Sequence, residues 1–231
     1  MAIVLRIFLS IMKINTTYLR RTTSLLAFLF LSALVFTNGC ALPKIIILND
    51  PLSAEEHAKL GRIYESQGKE DLALLQYRAA VRKDPRQVQA WLLLGDLAYK
   101  HADYGEAETA YKKALNLQPE NGDISNNLAW TYLMQNKRTS KAEKLVKEAM
   151  TFTPEHKPYY LDTLGVVLLR LGKVRESIAA LKESVTTLPE DKSGFLAEAY
   201  GHLAEAYKTA GDAVLADEAA GTAKKHAIIQ Q

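Results

Sequence analysis

Residues 91–119 read WLLLGDLAYKHADYGEAETAYKKALNLQP, and this stretch decides the fold. Trp91, Leu94 and Ala98 are spaced three and four apart, so in a helix they share one face, and Gly95 beside them lets a neighbouring helix approach closely. Ala107, Tyr111 and Ala114 continue at helical spacing up to Pro119, which has no backbone N–H to donate and so marks the end of a second helix. The same set recurs upstream as Leu60-Gly61, Tyr64, Ala73, Tyr77, Ala80 and Pro85, and downstream as Leu128-Ala129, Tyr132, Ala142, Val146, Ala149 and Pro154. A fourth copy reads Leu164-Gly165, Leu168, Ser177, Leu181, Ser184 and Pro189, and a looser fifth reads Leu203-Ala204, Tyr207, Ala216, Ala220 and Ala223. From Leu60 to Leu94 to Leu128 the step is 34 residues, the period of a two-helix unit that cannot bury its apolar face alone and stacks on copies of itself.

These residues resemble the tetratricopeptide repeat (TPR) family, whose helix-turn-helix signature is W-x2-L-G-x2-Y, then A-x3-F, then P. The resemblance covers about Ser53 to the C-terminus and implies an all-α, right-handed superhelical solenoid of about five TPR helix-turn-helix repeats. Gly68, Gly172 and Gly211 stand where first helices should end, because glycine takes the left-handed conformation at little cost. Ser53 and Glu56 have the spacing of a capping box that opens the array. The third copy carries one extra residue within Asn136–Ser140, and about five more residues separate the fourth copy from the fifth around Glu190–Gly194. Both insertions are expected to lengthen loops and leave the stack unchanged.

The 231 residues are 48% hydrophobic with only 12 Gly and 7 Pro, a globular composition without strand-like alternation. The formal charge of +3 is concentrated at one end. Residues 1–39 hold Arg6, Lys13, Arg20 and Arg21 and no acid, leaving 25 basic against 26 acidic residues elsewhere. Bulk electrostatics therefore give no support to nucleic-acid binding. Arg20-Arg21 precede an apolar run from Leu25 to Phe36 that ends in Thr37-Asn-Gly-Cys40, the order of a secretory signal, and the run is short for a membrane span. This ending resembles the lipobox of bacterial lipoproteins, departing from it at Thr37 and Asn38, and the resemblance implies cleavage after Gly39 and lipidation of Cys40. The expected organisation is a signal peptide over 1–39, with Met12 as the expected initiator, a lipidated cysteine and tether over 40–52, and the solenoid over 53–231. Cys40 is the sole cysteine, so no internal disulfide is available. By the sorting rule of enterobacterial lipoproteins, Ala41 after the cysteine favours the outer membrane, facing the periplasm.

Catalytic patterns are not found. His57, His101, His156, His202 and His226 form no H-E-x-x-H, have no cysteine partner, and are expected at the surface. Gly61 and Gly68-Lys69 lack phosphate-loop spacing, and no G-x-S-x-G elbow occurs. The expectation is a non-enzyme with no cofactor, metal or small-molecule substrate, whose function lies on the face lined by the first helix of each repeat. Counting outward from the packing stripe places Arg62, Leu92, Asp96, Tyr99, Asn126, Trp130, Leu133, Tyr159, Asp162, Val166 and Leu169 toward that groove, with Glu198 at its far end. Leu92, Tyr99, Trp130, Leu133, Tyr159, Val166 and Leu169 would form an apolar floor, with Asn126 and Asp162 available to bond a peptide backbone. Burial of Trp130 and Tyr159 by neighbouring helices is the plainer alternative. TPR proteins that bind a C-terminal carboxylate use Lys, Asn and Arg where Ala58, Leu92 and Asp123 stand here, which disfavours that activity. The resemblance implies a protein or peptide partner, membrane attachment through the N-terminal lipid, and a role as an envelope scaffold or adaptor. The alternative is a pilotin-like assembly factor for a type IV pilus or a secretion or polysaccharide-export system, and an accessory domain of an enzyme encoded elsewhere is a weaker third.

Overall fold

Ser53 opens the helical array as a capping box: the Glu56 amide donates to Ser53 Oγ (3.2 Å) and the Ser53 amide to the Glu56 carboxylate (2.8 Å). The computed structural model describes residues 50–228, so the signal segment, Met12 and Cys40 lie outside the described residues. The chain divides into two units, Met1–Asp50 and Pro51–Gln231, and the second is the one described below.

Among the described residues there are ten α-helices and no strand. They pair as α1 (Ala54–Ser66) with α2 (Glu70–Lys83), α3 (Val88–Lys100) with α4 (Tyr104–Leu117), and α5 (Gly122–Met134) with α6 (Thr139–Phe152). A short 3-10 turn, Pro154–His156, then leads to α7 (Lys157–Arg170) with α8 (Val174–Thr187), and α9 (Ser193–Ala210) with α10 (Ala213–Ile228). Each second helix also packs on the next first helix, and α1 touches α3, α5 touches α7 and α7 touches α9 directly. This is the nearest-neighbour stack that the 34-residue period predicts.

The glycines of the signature make each pair possible. A Cβ at Gly61 would lie 2.3 Å from the Tyr77 ring, one at Gly95 2.7 Å from the Tyr111 ring, and one at Gly165 2.3 Å from Leu181. A missing side chain on the first helix thus receives the bulky residue of the second. Where the first helix carries Ala129, the position corresponding to Tyr77 holds the smaller Val146, and both side chains are fully buried.

The five reversals inside the repeats share one hydrogen bond. The amides of Lys69, Asp103, Lys137, Lys173 and Asp212 donate to the carbonyls five residues back, at Tyr64, Ala98, Tyr132, Leu168 and Tyr207, at 2.9–3.0 Å. That is the six-to-one bond of a Schellman ending. It needs a left-handed residue, supplied by Gly68, Gly172 and Gly211 (φ 70°, 74° and 85°), but by Ala102 and Asn136 (φ 58° and 50°) in the second and third repeats. The extra residue of the third repeat is absorbed by a second left-handed position, Arg138 (φ 56°). The later insertion behaves differently from the expectation. It lengthens α9 to 18 residues, against 13 in α1, α3 and α5, so it extends a helix as well as a loop.

Candidate functional site: a concave pocket of the solenoid

The first helices present residues three and four apart to the concave side, and stacking brings three repeats around one cavity. Asp96 and Tyr99 from α3, Tyr111 from α4, Asn127 and Trp130 from α5, and Glu198 and His202 from α9 line a pocket of about 460 Å³. Its apolar surface is aromatic: Trp130 and Tyr99 are half-buried and pack on the central core. The Trp130 ring lies 5.7 Å from the His202 ring, and Tyr99 meets Tyr104 edge-on at 5.4 Å.

The polar groups are held by short bonds. Tyr111 Oη donates to Asp96 Oδ1 at 2.7 Å, with Asn127 Nδ2 at 3.4 Å from the same oxygen. Asp96 keeps solvent access on its groove side. Loss of hydration against the pocket wall pushes its carboxyl above the usual range, and the Glu65 charge adds to this, opposed by the Tyr111 and Asn127 donors. Burial and the Asp96 charge raise the Tyr111 hydroxyl, so it stays a proton donor. On the opposite wall, His202 Nδ1 lies 2.9 and 3.1 Å from the Asp162 oxygens. Burial favours the neutral ring, but the Asp162 hydrogen bond and charge, with Glu198, outweigh it and move His202 above its ordinary 6.5. Among the described residues neither Asp96 nor Glu198 forms an ion pair with a lysine or arginine.

Of the residues predicted for the groove, the structure brings Asp96, Tyr99 and Trp130 into the pocket, with Glu198 facing them. Four corrections follow. Leu133 is buried (3% exposed) in the central core, because α7 packs directly on α5 and covers that side. Leu92 and Val166 pack against the same core, and Tyr159 and Leu169 against the C-terminal one; all four are half-buried and none lines this pocket, so the expected apolar floor is not a single surface with Tyr99 and Trp130 here. Asp162 is engaged by His202, and Asn126 is half-buried with its Oδ1 buried, so neither is presented as expected; Arg62 is exposed on α1 and does not line the pocket. Finally, one histidine is not a surface residue, and a second is only part-exposed. His57 is 3% exposed with Nδ1 2.8 Å from Gln76 Oε1, and His202 lines the pocket. Tyr111, Asn127 and His202 also line the pocket and are not among the groove positions that the sequence count gives. Tyr111 was already assigned to the core by its signature spacing, and the closing of α9 toward α3 depends on superhelical curvature that one repeat does not encode.

Among the described residues no group of His, Cys, Asp and Glu could hold a metal ion, and no helix is long and apolar enough to cross a membrane.

The family model for the TPR domain of cytochrome c-type biogenesis protein H matches residues 61–195, more than half of the chain. The chain belongs to the tetratricopeptide repeat family. Among curated relatives of this TPR chain, the tetratricopeptide repeat-containing protein trd-1 of Caenorhabditis elegans is 27% identical over 135 residues, covering 58% of this chain and 17% of trd-1. The chain spans less than a fifth of the length of the curated relatives it first matches. Among solved structures, PilW, a type IV pilus biogenesis factor, superposes with a TM-score of 0.67 at 20% identity, covering 77% of this chain and 79% of PilW. YrrB, a TPR protein with an unusual peptide-binding site, superposes with a TM-score of 0.57 at 20% identity, covering 75% of this chain and 86% of YrrB. At these identities the likeness is one of fold.

Proposed function

We propose that this chain is an envelope-anchored TPR lipoprotein that acts as an adaptor, holding a peptide or protein partner in its concave groove. The observation that carries the reading is the pocket itself: two aromatic anchors, Trp130 and Tyr99, and a set of fixed polar groups converge from three repeats on one concave surface. Buried aromatic anchors in concave sites commonly dominate protein recognition. Anchoring at the cell envelope, at the outer membrane facing the periplasm, rests on the sequence, where the sole cysteine, Cys40, follows a charged and then apolar segment.

A narrower form of the same role is assembly of a pilus or secretion machine. The likeness to PilW over most of both chains supports it at the level of fold.

The test is in-cell photocrosslinking from p-benzoylphenylalanine placed at position 130, combined with fatty-acid labelling of the wild type and Cys40→Ser. The expected outcome is a discrete crosslinked partner, plus label that is lost in Cys40→Ser. Absence of any crosslink from position 130, with crosslinks instead from Lys113, exposed on α4 outside the pocket, overturns the groove; undiminished label in Cys40→Ser overturns the anchor.

A further inference from the structure

The pocket carries more than a shape. Its lining contains two carboxylates, Asp96 and Glu198, two aromatic walls, Trp130 and Tyr99, and no lysine or arginine. The one basic group there, His202, is bonded to Asp162, so its charge is matched within the wall. Among the described residues neither Asp96 nor Glu198 is paired with a lysine or arginine, although Glu198 also faces His202, and Asp96 additionally feels the like charge of Glu65. An apolar plug would strip water from Asp96 and leave a buried charge uncompensated, which is strongly unfavourable. An anionic group would meet two carboxylates. A cation is stabilised both by the carboxylates and by the electron-rich faces of the indole and phenol rings.

Resting on the proposal that the groove is the partner-binding surface, we infer that this pocket receives an arginine side chain of the partner, stacked on Trp130 and held by the carboxylates of Asp96 and Glu198. Arginine is favoured over lysine because its planar guanidinium stacks on an aromatic ring and forks to carboxylates at the same time, and because it is more weakly hydrated than an ammonium. The cavity, at about 460 Å³, accommodates a whole side chain together with the flanking backbone. Tyr111 and Asn127 both donate to Oδ1 of Asp96 and hold that carboxylate in the pocket wall.

The experiment uses N-acetyl-arginine amide as the probe on the full chain, reading the indole N–H resonance of Trp130, assigned with Trp91→Phe. N-acetyl-citrulline amide, which keeps the shape and loses the charge, N-acetyl-lysine amide and N-acetyl-glutamate amide are titrated in parallel. The expected result is a saturable shift with the arginine probe, a response to citrulline roughly tenfold weaker as expected for loss of about 1.4 kcal/mol of charge-dependent binding, and an intermediate response to lysine. Asp96→Asn keeps an oxygen for the Tyr111 hydroxyl, and Glu198→Gln is at an exposed site; each should weaken the arginine response several-fold with the solenoid intact by circular dichroism. Equal responses to arginine and citrulline, a stronger response to glutamate, or no saturable shift with any probe would overturn the inference. Crosslinking from position 130 reports separately on the groove: a crosslinked segment without an arginine, alongside a silent arginine titration, refutes the cation and leaves the groove standing.

Discussion

The contact between Gly95 and the Tyr111 ring joins packing to function in a single pair of residues. The ring occupies the space where a Cβ would stand, and its hydroxyl emerges on the concave side to hold Asp96 at 2.7 Å. Gly95→Leu should therefore cost about 1–3 kcal/mol by overpacking and also release Asp96, lowering the unfolding midpoint while the far-ultraviolet circular dichroism stays helical. An unchanged midpoint would show that the ring is not seated there. His202 offers a second test. Its pKa is raised in the folded state, so the stabilisation from its charge is fully present below the unfolded value near 6.5 and is lost as the pH rises through the higher folded value. Asp162→Asn should bring the His202 titration, followed by NMR of its ring, down toward or below 6.5 and flatten that part of the pH–stability curve. A titration unmoved by Asp162→Asn would remove Asp162 as the cause. The sequence made the first of these pairs legible, because both members belong to the repeated signature; it did not reveal the second, because Asp162 and His202 lie on α7 and α9 at no recurring spacing.

Elements show why the period was readable and the insertions were not. Every repeat turns through the same backbone bond, and three of the five use glycine for the left-handed residue, which made those boundaries visible in the sequence. The second repeat uses Ala102 at φ 58° and bears the associated strain, so Ala102→Gly should stabilise the protein by roughly 0.5–1 kcal/mol, the left-handed penalty less the extra chain entropy of glycine. The measurement is a urea melt, and a destabilised variant would mean that chain entropy outweighs the strain. The residues added around Glu190–Gly194 run into α9, which begins at Ser193, and Phe195 in its first turn meets Tyr159 edge-on at 4.8 Å. Nothing in Glu190–Gly194 announced this, since Asp191, Ser193 and Gly194 are all common in loops, and it is contact with α7 and α8 that gives the added turn its partners.

At the scale of the whole molecule the pocket is a product of stacking, since its walls belong to the second, third and fifth repeats, and the fifth is seated on the intervening fourth, whose Asp162 bonds His202. A repeat array transmits such a requirement through neighbour interfaces, so a core defect outside the lining should still open the pocket. Leu203, 5% exposed in the C-terminal core, follows the lining residue His202 on α9 but does not itself line the pocket. Leu203→Ala should cost about 2–5 kcal/mol, open α9 and α10 first in hydrogen exchange, and weaken partner capture although Asp96, Tyr99 and Trp130 are untouched. Tyr99→Ala with Trp130→Ala makes the complementary case: it removes the aromatic walls, each worth roughly 2 kcal/mol or more if it is a hot spot, and should abolish capture in pull-downs from membrane extracts. Replacing His101, His156 and His226, which do not line this pocket, should leave capture nearly intact. Capture that survives the aromatic variant but fails when those three histidines are replaced would move the functional surface away from the concave side altogether.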